Sequence, residues 1–164
     1  MGWRSIILAA AAAGQAQAQE VFPLSSHGHW DVSYVSSEAG PYCSASVTGD
    51  GLYLSVDVSK LAGITVFIID NEKNWIDQTG LTMFAQVDAR SPWEVGSVIT
   101  YDHVSQFALQ GDAGFRFLGE LSDGRVVQFD YNEQGTPPNY SDVTFSLLGS
   151  GAAMAALAEC AGRL

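Results

Sequence analysis

Three histidines are the residues best suited to binding a transition metal. His27 and His29 are separated by one residue, so in an extended segment both rings would point to the same side and could hold one ion. His103 could supply a third ligand. Two histidines in a polar N-terminal stretch specify no metal, so we interpret them as solvent-exposed and predict neither a metal site nor a cofactor.

A second pattern that could bind an ion is the acidic segment that contains Asp70, Glu72 and Asp77. Carboxylates at alternate positions are typical of calcium loops, but the EF-hand also requires glycine at the sixth position and glutamate at the twelfth. Counted from Asp70, the sixth position is Trp75 and the twelfth is not glutamate. We therefore interpret this segment as a hydrated hairpin turn.

Signatures of catalysis are weak along the whole chain. Neither a Gly-x-Ser-x-Gly motif nor a phosphate-binding glycine loop with its lysine is present. The 18 Asp and Glu residues could form the paired carboxylates of a glycosidase only if the fold brought two of them into one cleft. We predict no catalytic residues and a non-enzymatic protein, and the alternative is an exported hydrolase with a carboxylate-based site.

Cys43 and Cys160 are the only two cysteines, so a single intramolecular pairing is available. Disulfides persist in oxidising compartments, and such a bond would close a loop of roughly 117 residues. We predict the Cys43–Cys160 disulfide, with a pair of buried free thiols as the alternative. Its role would be structural, because the last helix is rich in alanine and buries little area without a fastening.

Tryptophan side chains are the candidates for a binding surface, because they combine a large apolar ring with one hydrogen-bond donor. Trp30, Trp75 and Trp93 were considered, and Trp75 and Trp93 form the candidate surface. A module that binds a small ligand through these tryptophans is a further alternative function. Most aromatic residues in a chain of this size belong to the core.

The first 18 residues have the pattern of a cleavable signal peptide. Arg4 precedes an apolar run of about eight residues, and Ala16-Gln17-Ala18 fits a small-x-small cleavage site. The run is too short for the roughly 20 residues of a membrane-spanning helix. We predict residues 1–18 as a Sec-type bacterial signal, with cleavage after Ala16 as the near alternative. Residues 19–164 are predicted to be one exported domain, periplasmic or secreted, without a transmembrane segment.

The net charge restricts the classes of partner. Arg4 is the only charged residue of the signal, so its removal changes the formal charge from −11 to −12. Nucleic acids and anionic membranes attract clustered lysine and arginine, so the sequence predicts no nucleic-acid partner. The acidic residues are spread along the chain, which favours a role in solubility over a face that meets a basic partner.

Alternating apolar and polar residues predict a mainly β protein. In HWDVSYV, Trp30, Val32 and Tyr34 share one side, which predicts a half-buried strand. YCSASV and LYLSVDV flank an Asp-Gly turn and predict a hairpin. ITVFIID is continuously apolar, which predicts a central strand covered on both faces. Further strands are predicted in LTMFAQVDA, after the turn RSPWE, in RVVQFDY and in VTFSLL.

Two helices are predicted. Apolar side chains gather on one side between Asp112 and Leu121, and Asp123-Gly124 is a typical stop. A C-terminal helix follows, with Ser150 as its N-cap. On a helical wheel its inward stripe contains Ala153, Ala156, Leu157, Cys160 and Leu164. The predicted fold class is therefore mainly β (α+β), an antiparallel sheet or sandwich of roughly 7–9 strands with a short mid-chain helix and a C-terminal helix.

Two segments carry a resemblance to a known family. HWDVSYVSSEAGPYC and VTFSLLGSGAAMAALAEC resemble segments of small exported alphaproteobacterial proteins related to the invasion-associated locus B family and to neighbouring uncharacterised families. The shared elements are a Trp-x-Val strand, a cysteine about a dozen residues later, and the closing pattern SLxGSxxAxxAL. This chain differs in having only two cysteines, and its middle shows no family signature. The resemblance implies a β-rich periplasmic or secreted protein without known catalysis, and it supplies no active-site residues.

The sequence thus favours a non-enzymatic, disulfide-stabilised exported protein that binds a protein or cell-envelope partner.

Overall fold

The computed structural model describes residues 19–72, 81–132 and 143–164. The predicted signal peptide, Trp75 and Asp77 lie outside these ranges. The described residues form ten strands and two helices, which in chain order are β1 Glu20–His27, β2 Trp30–Ser36, β3 Tyr42–Gly49, β4 Leu52–Ser59, β5 Gly63–Asp70, β6 Thr82–Val87, β7 Trp93–Tyr101, β8 Val104–Leu109, α1 Gly111–Asp123, β9 Val126–Asn132, β10 Val143–Ser146 and α2 Ser150–Ala161.

The strands form one antiparallel sheet in the order β1-β2-β3-β4-β5-β8-β7-β6-β9-β10. The first five strands follow one another as a meander, and the order then changes because β5 pairs with β8. The predicted fold class is confirmed, with ten strands in place of the expected seven to nine. Among the strands of the described ranges, β1 and β10 lie at the two edges.

The hairpin of β3 and β4 shows how the sequence sets the register. Gly49 pairs with Leu52, so Asp50 and Gly51 form a two-residue turn, and both have positive φ, 50° and 79°. This is the backbone of a type I′ turn, which matches the twist of antiparallel strands and favours Asp-Gly. The turn therefore fixes which residues of each strand face the core, as predicted.

Three expectations about strands differ from the structure. The polar N-terminal stretch, in which no strand is predicted, is β1, which pairs with β2 from Glu20 to His27. The region after Trp93 contains two strands, because a turn at Asp102 (φ 46°) reverses the chain between β7 and β8. β5 lies near the middle of the sheet but buries only alternate residues, while Phe67 and Ile69 on its other face stay partly exposed.

The sheet is concave towards a single aromatic core. In the strand order β8 and β9 are three places apart, which in a flat sheet is about 14 Å. Yet the ring centroids of Phe107 and Phe129 are 6.1 Å apart, and Phe117 of α1 lies 6.1 Å from Phe107 and 6.3 Å from Phe129. The inner face therefore curves over α1, which confirms the predicted mid-chain helix and gives it its role in the core.

α2 packs on the inner side of β1, β2 and β3 and against α1. Its buried residues are Ser150, Ala153, Met154, Leu157 and Cys160, which includes most of the predicted stripe. Cys160 is bonded to Cys43 of β3, with 6.0 Å between the two Cα atoms, so the predicted disulfide is confirmed. A bond that closes so long a loop stabilises a fold by about 2–4 kcal/mol. It fastens the alanine-rich helix to the sheet.

α2 begins where two parts of the chain come into close contact. Gly149 is the N-cap, with φ 92°, and Ser150 is the first helical residue, so the prediction of Ser150 as N-cap is wrong by one position. The Ser150 hydroxyl donates instead to the carbonyl of Leu121 at 2.6 Å, which joins α2 to α1. The amide of His29 donates to the carbonyl of Leu148 at 3.2 Å, which joins the β1–β2 turn to the start of α2.

Within the described ranges, neither helix is long and apolar enough to cross a membrane.

Replacing Gly149 by alanine should destabilise the fold more than replacing Gly96 by alanine. Both glycines have a similar positive φ, 92° and 95°, which costs a residue with a Cβ about 1–2 kcal/mol. A Cβ at Gly149 would also overlap the carbonyl of His27, whereas a Cβ at Gly96 would meet no atom within 4 Å. We expect a loss in unfolding free energy of about 3 kcal/mol or more for Gly149→Ala and about 1 kcal/mol for Gly96→Ala, measured by urea unfolding of the oxidised protein. Equal losses would contradict the close contact at Gly149.

Candidate functional site

The histidines do not come together as a metal site. His27 ends β1, where its Nε2 lies 3.0 Å from the Ser25 hydroxyl, and His29 follows Gly28 in a turn. Gly28 has a φ of 62°, so the extended backbone that would align the two rings is absent. His103 lies in the β7–β8 turn, where its carbonyl accepts the amide of Asp70 at 3.0 Å. In the residues that the structure describes, no cluster of three or more His, Cys, Asp or Glu could hold a metal.

The acidic segment after β5 begins as a turn. Asp70 is buried at the end of the strand, and its Oδ1 accepts the amide of Glu72 at 3.0 Å. This bond satisfies a backbone donor where the strand stops, as an aspartate commonly does in a turn. Asp77 lies outside the described residues, so the remainder of the predicted turn stays a prediction.

The tryptophans are placed differently from one another. Trp30 is fully buried in the core, so its candidacy for a surface is wrong. Trp93 is half-buried on β7: its indole N–H donates to Glu120 Oε2 at 3.2 Å, and the Arg116 guanidinium lies 5.1 Å from the ring centre. It also contacts Phe117 edge to face, at 6.0 Å. Trp75 lies outside the described residues, and the binding role of Trp75 and Trp93 stays a prediction.

A buried polar pair lies within the core. The hydroxyls of Ser105 and Tyr131 are 2.8 Å apart, and both residues are almost fully buried. Burial raises the pKa of Tyr131 well above its ordinary value, so the phenol stays protonated. Because it is enclosed, this pair satisfies two core hydroxyls and offers no surface to a substrate.

A titratable side chain does face a cleft on the outer side of the sheet. The cleft has a volume of about 250 Å³ and is referred to here as the Asp57 cleft. The sheet register explains it, because Ser44, Asp57 and Thr65 are neighbours across β3, β4 and β5. Its lining residues are Gln19, Ser37, Ala39, Gly40, Tyr42, Asp57, Ser59, Thr65 and Phe67.

Neutral donors hold the Asp57 carboxyl. The Ser44 hydroxyl donates to Asp57 Oδ1 at 2.6 Å, and Ser55 provides a second side-chain hydrogen bond. Burial raises the pKa of Asp57 above its ordinary value of 3.8, and the two serine hydrogen bonds oppose this rise. The pKa of the neighbouring Tyr42 is also raised, first by burial and then by the negative charge of Asp57. Perturbed groups at the wall of a cleft are typical of functional sites.

Among the described residues that line the cleft, Asp57 is the one carboxylate, and a glycosidase requires a pair. What it offers is a negative charge beside two aromatic rings, Tyr42 and Phe67, with hydroxyl groups at Ser59 and Thr65. Such a wall can accept hydrogen bonds from a cation and contact its apolar part.

None of the candidate residues predicted from the sequence lies in the Asp57 cleft. Alternation along LYLSVDV assigns Asp57 to the solvent side, where a charged residue is common. The lining residues come from the N-terminus of the described chain, the β2–β3 turn and three strands, so only the register brings them together. The sequence does contain one indication of this site. Alternation in β3 and β4 places a row of polar residues on one face of neighbouring strands.

Comparison with known proteins shows a shared fold. The crystal structure of invasion associated protein B from Bartonella henselae is similar to this chain, with a TM-score of 0.55 and 14% sequence identity over 82% of this chain and 95% of that one. It agrees with the resemblance carried by the two terminal segments. No protein-family model matches the chain, and no curated protein matches it.

Removing the Ser44 hydroxyl should raise the pKa of Asp57 further, because the hydrogen bond stabilises the charged carboxylate. We expect Ser44→Ala to raise the pKa and Ser46→Ala, on the same face of β3, to leave it unchanged. The measurement is an NMR titration of the Asp57 carboxyl carbon, assigned with Asp57→Asn.

The raised pKa of Asp57 also determines how the stability of the fold changes with pH. The folded state holds the Asp57 proton more tightly than the unfolded chain, so this contribution is fully present below about pH 3.8 and is lost as pH rises through the folded pKa. The decrease in unfolding free energy over this pH range should be larger in Ser44→Ala than in wild type. An unchanged pKa in Ser44→Ala would contradict the assigned role of the hydroxyl.

Proposed function

We propose that this protein is exported to the periplasm or secreted, and that it acts without catalysis by binding a partner protein at the edge strand β1. The observation that carries this proposal is the exposed apolar edge of the sheet. In the described part of the chain, β1 pairs with β2 alone, and Val21, Phe22 and Leu24 are 57%, 47% and 51% exposed.

Export is supported by two features. The leader has the charge, apolar run and cleavage pattern of a signal peptide, with Ala18 at the cut. The Cys43–Cys160 disulfide is of the kind that persists in oxidising compartments. The shared fold with invasion associated protein B, together with the resemblance, supports the same proposal.

Binding at β1 is supported by what an edge strand offers. Its outer side presents backbone donors and acceptors that an extended segment of another protein can pair with. Proteins usually protect such edges with charged side chains, proline or bulges. β1 contains Pro23 and an irregular register between Pro23 and Ser25, and it also carries three apolar side chains near half exposure. Beside it, a groove of about 360 Å³ between β1 and α2 is lined by Leu24, His27, Ala156, Glu159 and Arg163, among others. This groove can receive side chains of the added segment.

The net charge of the chain favours a different protein over a second copy of this chain as the partner at β1. Two copies of the exported chain would each bring a formal charge of −12, because the leader removes Arg4, and like charges oppose their association. A partner segment that carries lysine or arginine beside its apolar residues is attracted instead. We therefore assign the edge to an extended basic segment of a partner protein.

Export can be tested by expressing the full chain in a bacterial host with a periplasm. We expect a product that begins at Gln19. Alkylation should modify no thiol before reduction and two thiols after reduction, as measured by intact mass. Cys160→Ser should expose one reactive thiol, and Ala18→Phe should block the cut. A product that retains Met1 in the wild type would contradict the proposed signal.

Binding at β1 can be tested with an octapeptide of alternating lysine and valine, which matches the eight residues of the strand. We expect NMR shifts centred on residues 20–27 and no binding of the glutamate–valine counterpart. Leu24→Lys should weaken binding about tenfold, because it places a like charge on the edge. Leu61→Lys is the matched control, since Leu61 is 86% exposed but lies in the β4–β5 turn.

Three outcomes would contradict this assignment of partner. Equal binding of both peptides would remove the role of charge. Self-association through β1 would favour a second copy, and binding to phosphatidylglycerol vesicles through β1 would favour the cell envelope.

A further inference from the structure

We propose that the Asp57 cleft is a binding site for a primary ammonium group. The site lies on the outer face of the sheet, across β3, β4 and β5, and Gln19, the residue before β1, contributes to its wall.

The charge of Asp57 favours a cation in the cleft. Its hydrogen-bond donors, Ser44 and Ser55, are neutral, and a carboxylate has about four acceptor positions, so capacity remains towards the cleft. Among the described residues, the ion pairs are Arg116–Glu120 and Arg163–Glu159, and neither involves Asp57. Partial burial makes an unpaired carboxylate costly, and this cost is reflected in its raised pKa. A bound cation would remove that cost.

The other residues of the cleft wall also favour an ammonium group. Tyr42 and Phe67 contribute aromatic rings, which attract a cation through their faces. Ser59 and Thr65 contribute hydroxyl oxygens that can accept further hydrogen bonds, and an ammonium group has three N–H donors to satisfy. An anion would be repelled by Asp57. A divalent metal would require further carboxylate or histidine ligands, and the described residues contain no such cluster.

The ammonium group has two sources, and the first is the chain itself. Gln19 lines the cleft and immediately precedes β1. Cleavage after Ala18 would convert the Gln19 nitrogen from a peptide amide into an α-ammonium group at the wall that contains Asp57. This source rests on the proposed export, and it would make removal of the signal the step that completes the site. The second source is a free amine or a lysine side chain of another molecule.

Glutamine at a chain start provides a matched chemical control. Its α-nitrogen can attack its own side-chain amide carbon, so a C–N bond forms, ammonia leaves, and the product is a neutral pyroglutamate. The free and cyclised proteins then differ at this one residue, in the presence or absence of the positive charge.

The test uses protein made with Gln19 as its first residue, which contains every described residue and does not depend on cleavage in a cell. Four samples are compared: free and cyclised chains, each with Asp57 or with Asp57→Asn. For the internal source we expect the pKa of the α-amino group to lie about one unit above its ordinary range of about 7.7–8.0 with Asp57, and within that range with Asp57→Asn.

Stability provides a second readout for the internal source. Cyclisation should lower the urea midpoint more in the protein that retains Asp57 than in the Asp57→Asn variant, because only the former loses an attraction between opposite charges. Ser46→Ala is the matched control, since this change on the same face of the sheet should leave the effect of cyclisation intact.

The external source is tested on the cyclised protein with n-butylammonium as the probe and n-butanol as its neutral counterpart. We expect the Asp57 carboxyl resonance to shift with n-butylammonium alone, and no saturable response in Asp57→Asn. Either an Asp57-dependent rise of the α-amino pKa or Asp57-dependent binding of n-butylammonium supports the site and identifies its source. Absence of both in folded protein overturns the proposal, and it leaves the β1 peptide experiment unaffected.

Discussion

Burial of the inner face of a long sheet is the constraint on which the rest of this structure depends. Ten strands present far more apolar surface than two short helices can cover, so the sheet has to curve and pack partly on itself. The aromatic contacts between Phe107, Phe117, Phe129 and Phe145 show this packing. Alternation supplies the inward residues along most of the strands, with irregular pairing of β1 with β2 and of β6 with β7. Where the pairing is regular, the register fixes both the core and the outer face. The Asp57 cleft is a product of that same register.

α2 covers the sheet with small side chains, mostly alanine. Small side chains let the helix lie close to β2 and β3, but each contributes little buried area. Three devices compensate for this. The disulfide to Cys43 holds the last turn, the Ser150 hydroxyl bonds α1, and glycine at position 149 lets the helix start against the β1–β2 turn. A Cβ at position 149 would overlap the carbonyl of His27 at the β1–β2 turn.

Local patterns predicted the elements whose residues follow one simple rule. The Asp50-Gly51 turn, the strands beside it and α1 were identified because turn chemistry and periodicity agree there. β1 was missed because an edge strand that contains Pro23 and is exposed on both sides shows no alternation. β8 was missed because its turn uses Asp102 at positive φ and not an Asn-Gly or Asp-Gly pair.

Trp30 was misjudged as a surface candidate although its own strand pattern places it with Val32. The candidate site could not be predicted, since Tyr42, Asp57 and Phe67 meet only when three strands are in register.

The Cys43–Cys160 bond joins parts of the chain that are far apart in sequence, which has a consequence for folding. The two cysteines are 117 positions apart, and β4 to β10 and α1 lie between them. The two sulfurs therefore approach each other only when α2 has packed on the sheet, and until then each thiol can react with thiols of other molecules. Closure of this ring is thus a chemical record that two distant parts of the fold have come together.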